Sequence, residues 1–593
     1  MNVLGISAFY HESSCCLLRD GLLTAAASEE RFTRVKHDPR LPIEAFRFCL
    51  ESEGLDLLDL DAVAYYELPR LKLERQLWSG SPAVGSPDFA RLDAGAPERA
   101  IRERLGWEGP ILCFPHHLSH AASAFFWSGF PEAATFTVDG VGEWATTTYG
   151  RGRGDDLELF AQVEFPHSLG LLYSTITAYL GFAVNDGEYK VMGLAPYGEP
   201  RLLDRLRRTI RSEPGPGFAL DLAYFDFVSG RRMWAPALAE LLGGPPRTRG
   251  GTFAPFHLDL ARSLQALLEE ILLEKVRWLH GETGSENLCL AGGVALNCVA
   301  NGRILREGPF RQLFVQPAAG DSGGCLGAAA LAHRQLAGRR PAGETLARVD
   351  LGPRIENAEI ERILEAAGVP ASDFREREPE LVDAVAARIA RGEVIGWVQG
   401  RMEHGPRALG KRSILANPLD PEIRDRLNRR IKKRESFRPF APSVLAARVA
   451  EHFDLDRPSP FMLLTCRVTS PLALPGVTHV DGSARPQTVD PAVDPRFAAL
   501  LAAFERKTGC PILVNTSFNV AGEPIVATAA DALLSAADAG LDALVLEDFL
   551  IDGRDLPAAW RSLLPAWRER RRSGFGERDR TESSIAEELY TFV

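Results

Sequence analysis

Residues 3–28 read VLGISAFYHESSCCLLRDGLLTAAAS, and residues 133–163 read AATFTVDGVGEWATTTYGRGRGDDLELFAQV. Each begins with an apolar strand, 3–7 in one and 133–138 in the other. A polar loop follows each strand, carrying His11 and Glu12 in the first and Asp139-Gly140 in the second. Both then turn back as hairpins. Strands 14–18 and 22–28 flank Arg19-Asp20-Gly21, a tight-turn sequence. Strands 146–149 and 157–163 flank the turn-rich run 151–156.

Strand, polar loop and hairpin, repeated and later followed by helices, is the layout of a duplicated actin/sugar-kinase-like α/β fold. In that layout the loops after the two first strands face a ligand cleft. Helical periodicity is expected over 118–128, 256–280, 323–335, 355–367 and 381–391. Buried strands are expected at 111–114, 288–291, 394–399 and 511–515. Loops are expected at 78–97 and 243–252. The Gly-, Pro- and Arg-rich stretch 336–353 is the best domain boundary, and the tail 568–580 is highly charged.

With 593 residues the chain exceeds one core and should form several domains. It is 45% hydrophobic and 25% charged, an ordinary soluble composition. A net charge of -11 argues against nucleic acid as a general partner. Nine cysteines without a Cys-x-x-Cys pair point to reduced thiols. The N-terminus has no signal-peptide pattern, and no apolar run reaches the roughly 20 residues of a membrane span. A cytoplasmic protein with no membrane partner is expected. The oligomeric state is not written in the sequence.

Against this acidic background stands a basic island, RMEHGPRALGKR at 401–412 and IKKRESFRP at 431–439. Gly-Pro-Arg and Phe-Arg-Pro contexts are rigid, and planar guanidinium groups suit phosphate or carboxylate. Four further constellations bear chemistry. His116 and His120 are four apart at a helix start, which is metal-ligand spacing. With Asp139 and Asp321 they make a set suited to Fe(II), Mn(II) or Zn(II); two histidines satisfied by hydrogen bonds at a helix end are the alternative. Gly292-Gly293 leads through Asn297 into a helix, fit either for a ligand oxygen at backbone amides or for plain packing. Asn515, Ser517 and Asn519 gather hydrogen-bonding side chains after a strand. Arg485 precedes a proline in an extended segment and could clamp an anion; a plain surface loop is the alternative.

Occurring together and in this order, these motifs resemble the ATP-dependent O-carbamoyltransferases, which carbamoylate hydroxyls of antibiotics and nodulation factors. The matching runs are 2–14, 116–127, 186–198 (DGEYKVMGLAPYG), 292–301, 320–329, 400–419, 431–443, 479–489 and 515–526. The resemblance implies a metal-binding carbamoyl-transfer domain over 1–345 and an α/β carbamoyl-adenylate-forming domain over 346–593. It implies iron on His116, His120, Asp139 and Asp321. It places Arg407, Lys432, Arg438, Arg485, Asn515, Ser517 and Asn519, with Gly292, Gly293 and Asn297, at nucleotide and carbamoyl sites. His11, Glu12 and Lys190 are the expected catalytic set, with His11 the candidate base; a hairpin-loop hydrogen bond is the alternative role for His11. ATP, Mg²⁺, carbamoyl phosphate and a small hydroxyl-bearing acceptor are the expected partners. Two positions depart from the family pattern. Glu12 replaces an aspartate, moving the carboxylate by about 1.5 Å, and His404 stands where an aromatic is usual. Threonylcarbamoyl modification of tRNA, a non-catalytic nucleotide-binding module and a sugar kinase are the competing readings. The acidic charge weighs against the first, and the second basic domain against the others.

Overall fold

The apolar run at 3–7 becomes the middle strand of a sheet, buried on both faces as such a pattern demands. The computed structural model describes residues 1–79, 93–228, 232–341, 345–564 and 566–567. Most of the loop expected at 78–97 and the charged tail at 568–580 lie outside the described residues. Two compact units emerge. The first holds Met1–Glu29 and Pro39–Leu346; the second begins at Ala347 and also takes the short strap Glu30–Asp38.

In the first unit, β1 (Asn2–Ser7) pairs antiparallel with β2 (Ser14–Arg19), which pairs with β3 (Leu22–Ser28). The hairpin turn uses Asp20 at φ 52° and Gly21 at φ 84°, the left-handed pair that matches strand twist. On its other edge β1 pairs parallel with β4 (Ala62–Tyr65), and β4 with β5 (Ile111–Cys113). The second sheet repeats this. Its first strand β6 (Glu132–Val138) pairs antiparallel with β7 (Ala145–Arg153), and β7 with β8 (Asp156–Glu164). Strand β6 pairs parallel with β9 (Asn287–Ala291), and β9 with β10 (Gln312–Val315). Both sheets run hairpin, first strand, two parallel strands. The duplication is therefore one of topology, although the residues differ.

The second hairpin is longer than the sequence reading of 146–149 and 157–163. Gly150 and Gly152 lie inside β7 and not in a turn. A Cβ on Gly152 would sit 2.4 Å from the Phe125 ring, and one on Gly150 would sit 2.3 Å from the Glu158 carbonyl. The glycines make room for a neighbouring helix and strand.

That helix is α1 (His116–Phe125), which follows β5 yet packs on β6, β7 and β9. Helices α2 (Leu169–Tyr179), α3 (Glu188–Leu194), α4 (Pro255–Thr283) and α5 (Cys298–Glu307) fill the second half. The last, α6 (Gly324–Ala337), packs back on β1, β2 and β4, and against α1. Its small residues allow this closeness. A Cβ on Gly327 would lie 1.7 Å from the Ser119 carbonyl, and one on Gly5 would lie 2.0 Å from the Cys325 carbonyl. Gly327→Ala should therefore wedge α1 from α6 and cost about 3 kcal/mol. Thermal denaturation measures this; an unchanged transition would contradict the close helix contact.

The second unit is built on one eight-stranded mixed sheet. Its strands are β11 (Ser372–Asp373), β12 (Ile395–Val398), β13 (Arg412–Ala416), β14 (Ala441–Leu445), β15 (Gln487–Val489), β16 (Ile512–Ser517), β17 (Ala543–Leu546) and β18 (Phe549–Asp552). They lie in the order β11-β18-β17-β12-β13-β16-β14-β15. Helices α7 (Glu378–Ala390) and α8 (Pro495–Thr508) pack together. Helix α9 (Ala529–Ala539) starts on Thr528, which caps it reciprocally with Asp531. Among the described residues no helix is long and apolar enough to cross a membrane.

Candidate functional site

In the first unit the two repeats deliver four side chains to one point. Helix α1 starts at His116, where Pro115 offers no capping side chain. Glu143 fills that role: the His116 backbone N–H donates to Glu143 Oε1 at 2.9 Å and Oε2 at 3.2 Å. One turn on, His120 faces the same way. Asp139 sits just past β6 and Asp321 in the turn before α6. Ligand atoms of His116, His120, Asp139 and Asp321 all lie within 4.8 Å of one another.

The two Nε2 atoms are 3.0 Å apart, and each is 3.2 Å from Asp139 Oδ2 and 3.6 Å from Asp321 Oδ1. Such a set needs positive charge at its centre. A proton satisfies one pair; a divalent ion would satisfy all four side chains. Asp321 Oδ2 is buried with no hydrogen-bond partner among the described residues, as are His116 Nδ1 and His120 Nδ1, so the protein alone does not satisfy this pocket. Without an ion, burial opposes charge on His120, but Asp139 and Asp321 outweigh it and raise its pKa to about 9. The donor chemistry and the orphaned oxygen fit a resident divalent metal.

The surrounding backbone is shaped to hold this cluster. The Gly293 N–H donates to Asp139 Oδ1 at 3.0 Å. Gly292 has φ 90°, and a Cβ there would lie 2.3 Å from the Val138 carbonyl, so only glycine fits. Asn297 caps α5 through Ala300 N–H and exchanges amide hydrogen bonds with Gln265 at 3.0 and 3.1 Å. Its side chain is thus spent on structure.

His11 and Glu12 lie in the β1–β2 loop, where Phe9 (φ 68°) and Glu12 (φ 52°) take left-handed conformations without being glycine. Held strain of this kind collects at working sites. A Cβ on Gly320 would be 3.4 Å from Glu12 Oε2, so this carboxylate lies beside the Asp321 turn. His11 Nδ1 is 3.9 Å from Glu12 Oε1. Lys190 is elsewhere engaged: on α3 it pairs with Asp186 at 3.1 Å and lies over the rings of Phe182 and Tyr189. The sequence reading did not single out Glu143 or Tyr66, whose ring lies 5.2 Å from that of His116. Gly-Glu after the Asp139 loop was the signal available for the first; nothing local marked the second.

In the second unit the basic island and the Asn515–Asn519 loop meet. Lys432 is buried, and its Nζ donates to Ser517 O at 2.7 Å, Ser517 Oγ at 3.2 Å, Asn519 O at 2.9 Å and Asn519 Oδ1 at 2.6 Å. Burial, then Arg434, Arg438 and Lys36, push its pKa well below that of an ordinary lysine. Arg438 is largely buried, 3.7 Å from Glu435. Asn515 is one layer deeper: its Nδ2 donates to Ser443 Oγ and Gln487 Oε1, and Gln487 Nε2 donates to the Leu409 carbonyl. Arg485 is half-buried and makes no hydrogen bond or ion pair among the described residues, an available cation.

The island itself divides. Arg412 is buried and donates to the carbonyls of Gln399, Gly400, Lys411 and Pro353, so it is structural. Glu403 Oε1 accepts the N–H groups of Leu409, Lys411 and Arg412 and folds the loop that carries half-buried Arg407. His404 is buried, and its N–H donates to the Val349 carbonyl at 2.6 Å.

Comparison with known proteins assigns both halves of the chain to one family. Residues 2–80 and 100–330 match the family model "Carbamoyltransferase N-terminus", and 386–553 match "Carbamoyltransferase C-terminus". Nodulation protein NolNO of Sinorhizobium fredii is 40% identical over 94% of this chain and 81% of its own. Nodulation protein U of Bradyrhizobium diazoefficiens is 38% identical over 90% and 94%. The 3'-hydroxymethylcephem-O-carbamoyltransferase of Amycolatopsis lactamdurans is 36% identical over 48% and 52%. Among solved structures, component A of (R)-2-hydroxyglutaryl-CoA dehydratase from Acidaminococcus fermentans aligns over 57% of this chain and 99% of its own at 14% identity. Its TM-score of 0.31 is too low to bear on mechanism. With both halves matched by their own models, and near-full-length relatives at about two residues in five, the chain belongs to the carbamoyltransferase family and is an O-carbamoyltransferase.

Proposed function

We propose that the second unit activates carbamoyl phosphate with ATP, and that the first delivers the carbamoyl group to a hydroxyl of a small natural-product or sugar acceptor. The observation that carries this is the pair of distinct centres, a His/Asp quartet in one unit and a buried lysine among basic residues in the other. Each belongs to a different step. Carbamoyl phosphate first yields carbamate and inorganic phosphate by hydrolysis. A carbamate oxygen attacks the α-phosphorus of ATP, the bond to the β-phosphate oxygen breaks, and pyrophosphate leaves. Lys432, Arg438, Arg485 and Arg407 offset negative charge on the transferring phosphates, with Mg²⁺ on the nucleotide. Ser517 and Asn519 hold Lys432 in place and hydrogen-bond the planar carbamoyl group.

In the first unit the acceptor oxygen attacks the carbamoyl carbon of carbamoyl-AMP, the carbon–oxygen bond to phosphate breaks, and AMP leaves. His11 takes the hydroxyl proton and Glu12 orients the acceptor. His116, His120, Asp139 and Asp321 would hold the metal, which supplies Lewis acidity toward carbonyl or phosphate oxygen when bound. Two imidazoles and two carboxylates suit several divalent ions, and of these we infer Fe²⁺, in keeping with the family resemblance.

The test is product identity. The chain, ATP, carbamoyl phosphate and a hydroxyl acceptor should give AMP and pyrophosphate; ADP would mean a kinase. Arg438→Ala should slow pyrophosphate release about a hundredfold, the loss of one charge-assisted contact of about 2–4 kcal/mol. Transfer from pre-formed carbamoyl-AMP should stay near wild type. Equal loss in both half-reactions would place Arg438 in folding rather than in activation.

A further inference from the structure

The strap Glu30–Asp38 lies early in the sequence, between stretches of the first unit, yet it belongs to the second. It is locally rigid. Arg34 and His37 have left-handed backbones, φ 61° and 56°. The strap closes on itself through Arg34 N–H to the Glu30 carbonyl, His37 N–H to Glu30 Oε2 and Thr33 Oγ1 to Asp38 Oδ2. Both of its arginines are buried, and each reaches a loop of the Lys432 centre with its guanidinium group, Arg31 also pairing with Glu30 Oε1 at 3.1 Å.

Arg31 Nη2 donates to the Gly405 carbonyl at 2.9 Å, two residues before Arg407. Arg34 Nη1 donates to the Ile525 carbonyl at 2.6 Å and Nη2 to the Pro524 carbonyl at 2.8 Å. Its Nε lies 3.8 Å from Asp531 Oδ1. The adjacent Glu523 carbonyl accepts Asn519 Nδ2 at 2.7 Å, and Asn519 in turn receives Lys432. An unbroken chain of contacts runs from Arg34 through 523–525 to Asn519 and Lys432. Met402, Ala408, Ile525 and Ala527 form one buried cluster, so the two pinned loops also pack on each other. Burial depresses Arg34, with Asp531 and Glu523 opposing, and a planar fork on two successive carbonyls is a geometry lysine does not reproduce.

We propose that Arg31 and Arg34 are positioning residues for carbamoyl phosphate activation, setting the loops that carry Arg407 and Asn519 at the spacing the donor requires. This rests on the reading of the second unit as the adenylate-forming centre. The strap thus ties that half-reaction to a segment outside residues 347 onward. The Lys432 centre is complete only in the full chain.

The test uses full-length enzyme and pyrophosphate release from ATP and carbamoyl phosphate without acceptor. Arg34→Ala should lower kcat/KM about thirtyfold, mostly as a raised KM for carbamoyl phosphate. Transfer from pre-formed carbamoyl-AMP and metal content should stay at wild-type levels. Arg34→Lys should recover no more than a small part, and Arg31→Ala should show the same pattern more weakly. If the two Arg34 variants and Arg31→Ala all retain wild-type KM and kcat, the proposal is wrong. It is equally wrong if Arg34→Lys restores full activity, or if both half-reactions fall together in every variant. If wild-type enzyme itself releases no pyrophosphate, the reading of the second unit fails instead.

Discussion

Replacing His120 by alanine is expected to strip the first unit of bound divalent metal and to slow carbamoyl transfer about a thousandfold, about 4 kcal/mol. His120 is fully buried and meets three of its partners through one nitrogen, at 3.0 Å from His116 Nε2, 3.2 Å from Asp139 and 3.6 Å from Asp321. Its loss leaves two carboxylates and one imidazole around a hole. Two neighbouring buried carboxylates without enough positive charge repel each other, and one would take up a proton. Pyrophosphate release by the second unit should continue. Elemental analysis and the two half-reactions decide this: wild-type metal content in the variant would remove His120 from the ligand set.

Lys432→Met should abolish most carbamoyl phosphate activation, by several hundredfold, about 3–4 kcal/mol. Methionine keeps the length and apolar stem but leaves the oxygens of Ser517 and Asn519 without their donor. That penalty alone is about 1–3 kcal/mol, so the variant's unfolding should be followed beside its kinetics. The pH dependence carries a sign. Burial first, then Arg434, Arg438 and Lys36, lower the Lys432 pKa, so the folded chain holds this proton less tightly than the unfolded chain. Stability from this group is therefore gained as pH rises through the folded value toward the ordinary lysine value, and is lost below it. Phosphate binding needs the charged form. The KM for carbamoyl phosphate should climb along an alkaline limb that begins below the ordinary lysine value. The limb should be absent in Lys432→Met; its persistence there would assign it to another group.

Much of this was legible because the signals are local. Asp20-Gly21 between apolar runs dictates the first hairpin, and His116-x-x-x-His120 fixes one face of a helix whatever surrounds it. Gly150 and Gly152 misled, because glycine reads as a turn when its purpose is to admit Phe125 and the Glu158 backbone. Asn297, after Gly292-Gly293, caps the next helix and bonds Gln265, a role that the same residue type fills as readily as ligand binding. The strap was invisible for a different reason. Arg31 and Arg34 find carbonyls 374 and 491 residues away, and no periodicity or spacing encodes contacts of that range. A fragment starting near residue 350, which the sequence boundary alone makes an attractive unit for the first half-reaction, would lack those contacts.

The most direct test of two-step transfer is isotope exchange between labelled pyrophosphate and ATP, with carbamoyl phosphate present and no acceptor. A carbamoyl adenylate formed reversibly in the second unit predicts label entering ATP only when carbamoyl phosphate is added, undiminished in His120→Ala and lost in Lys432→Met. Acceptor carbamoylation proceeding at full rate with no exchange under any condition would contradict the account.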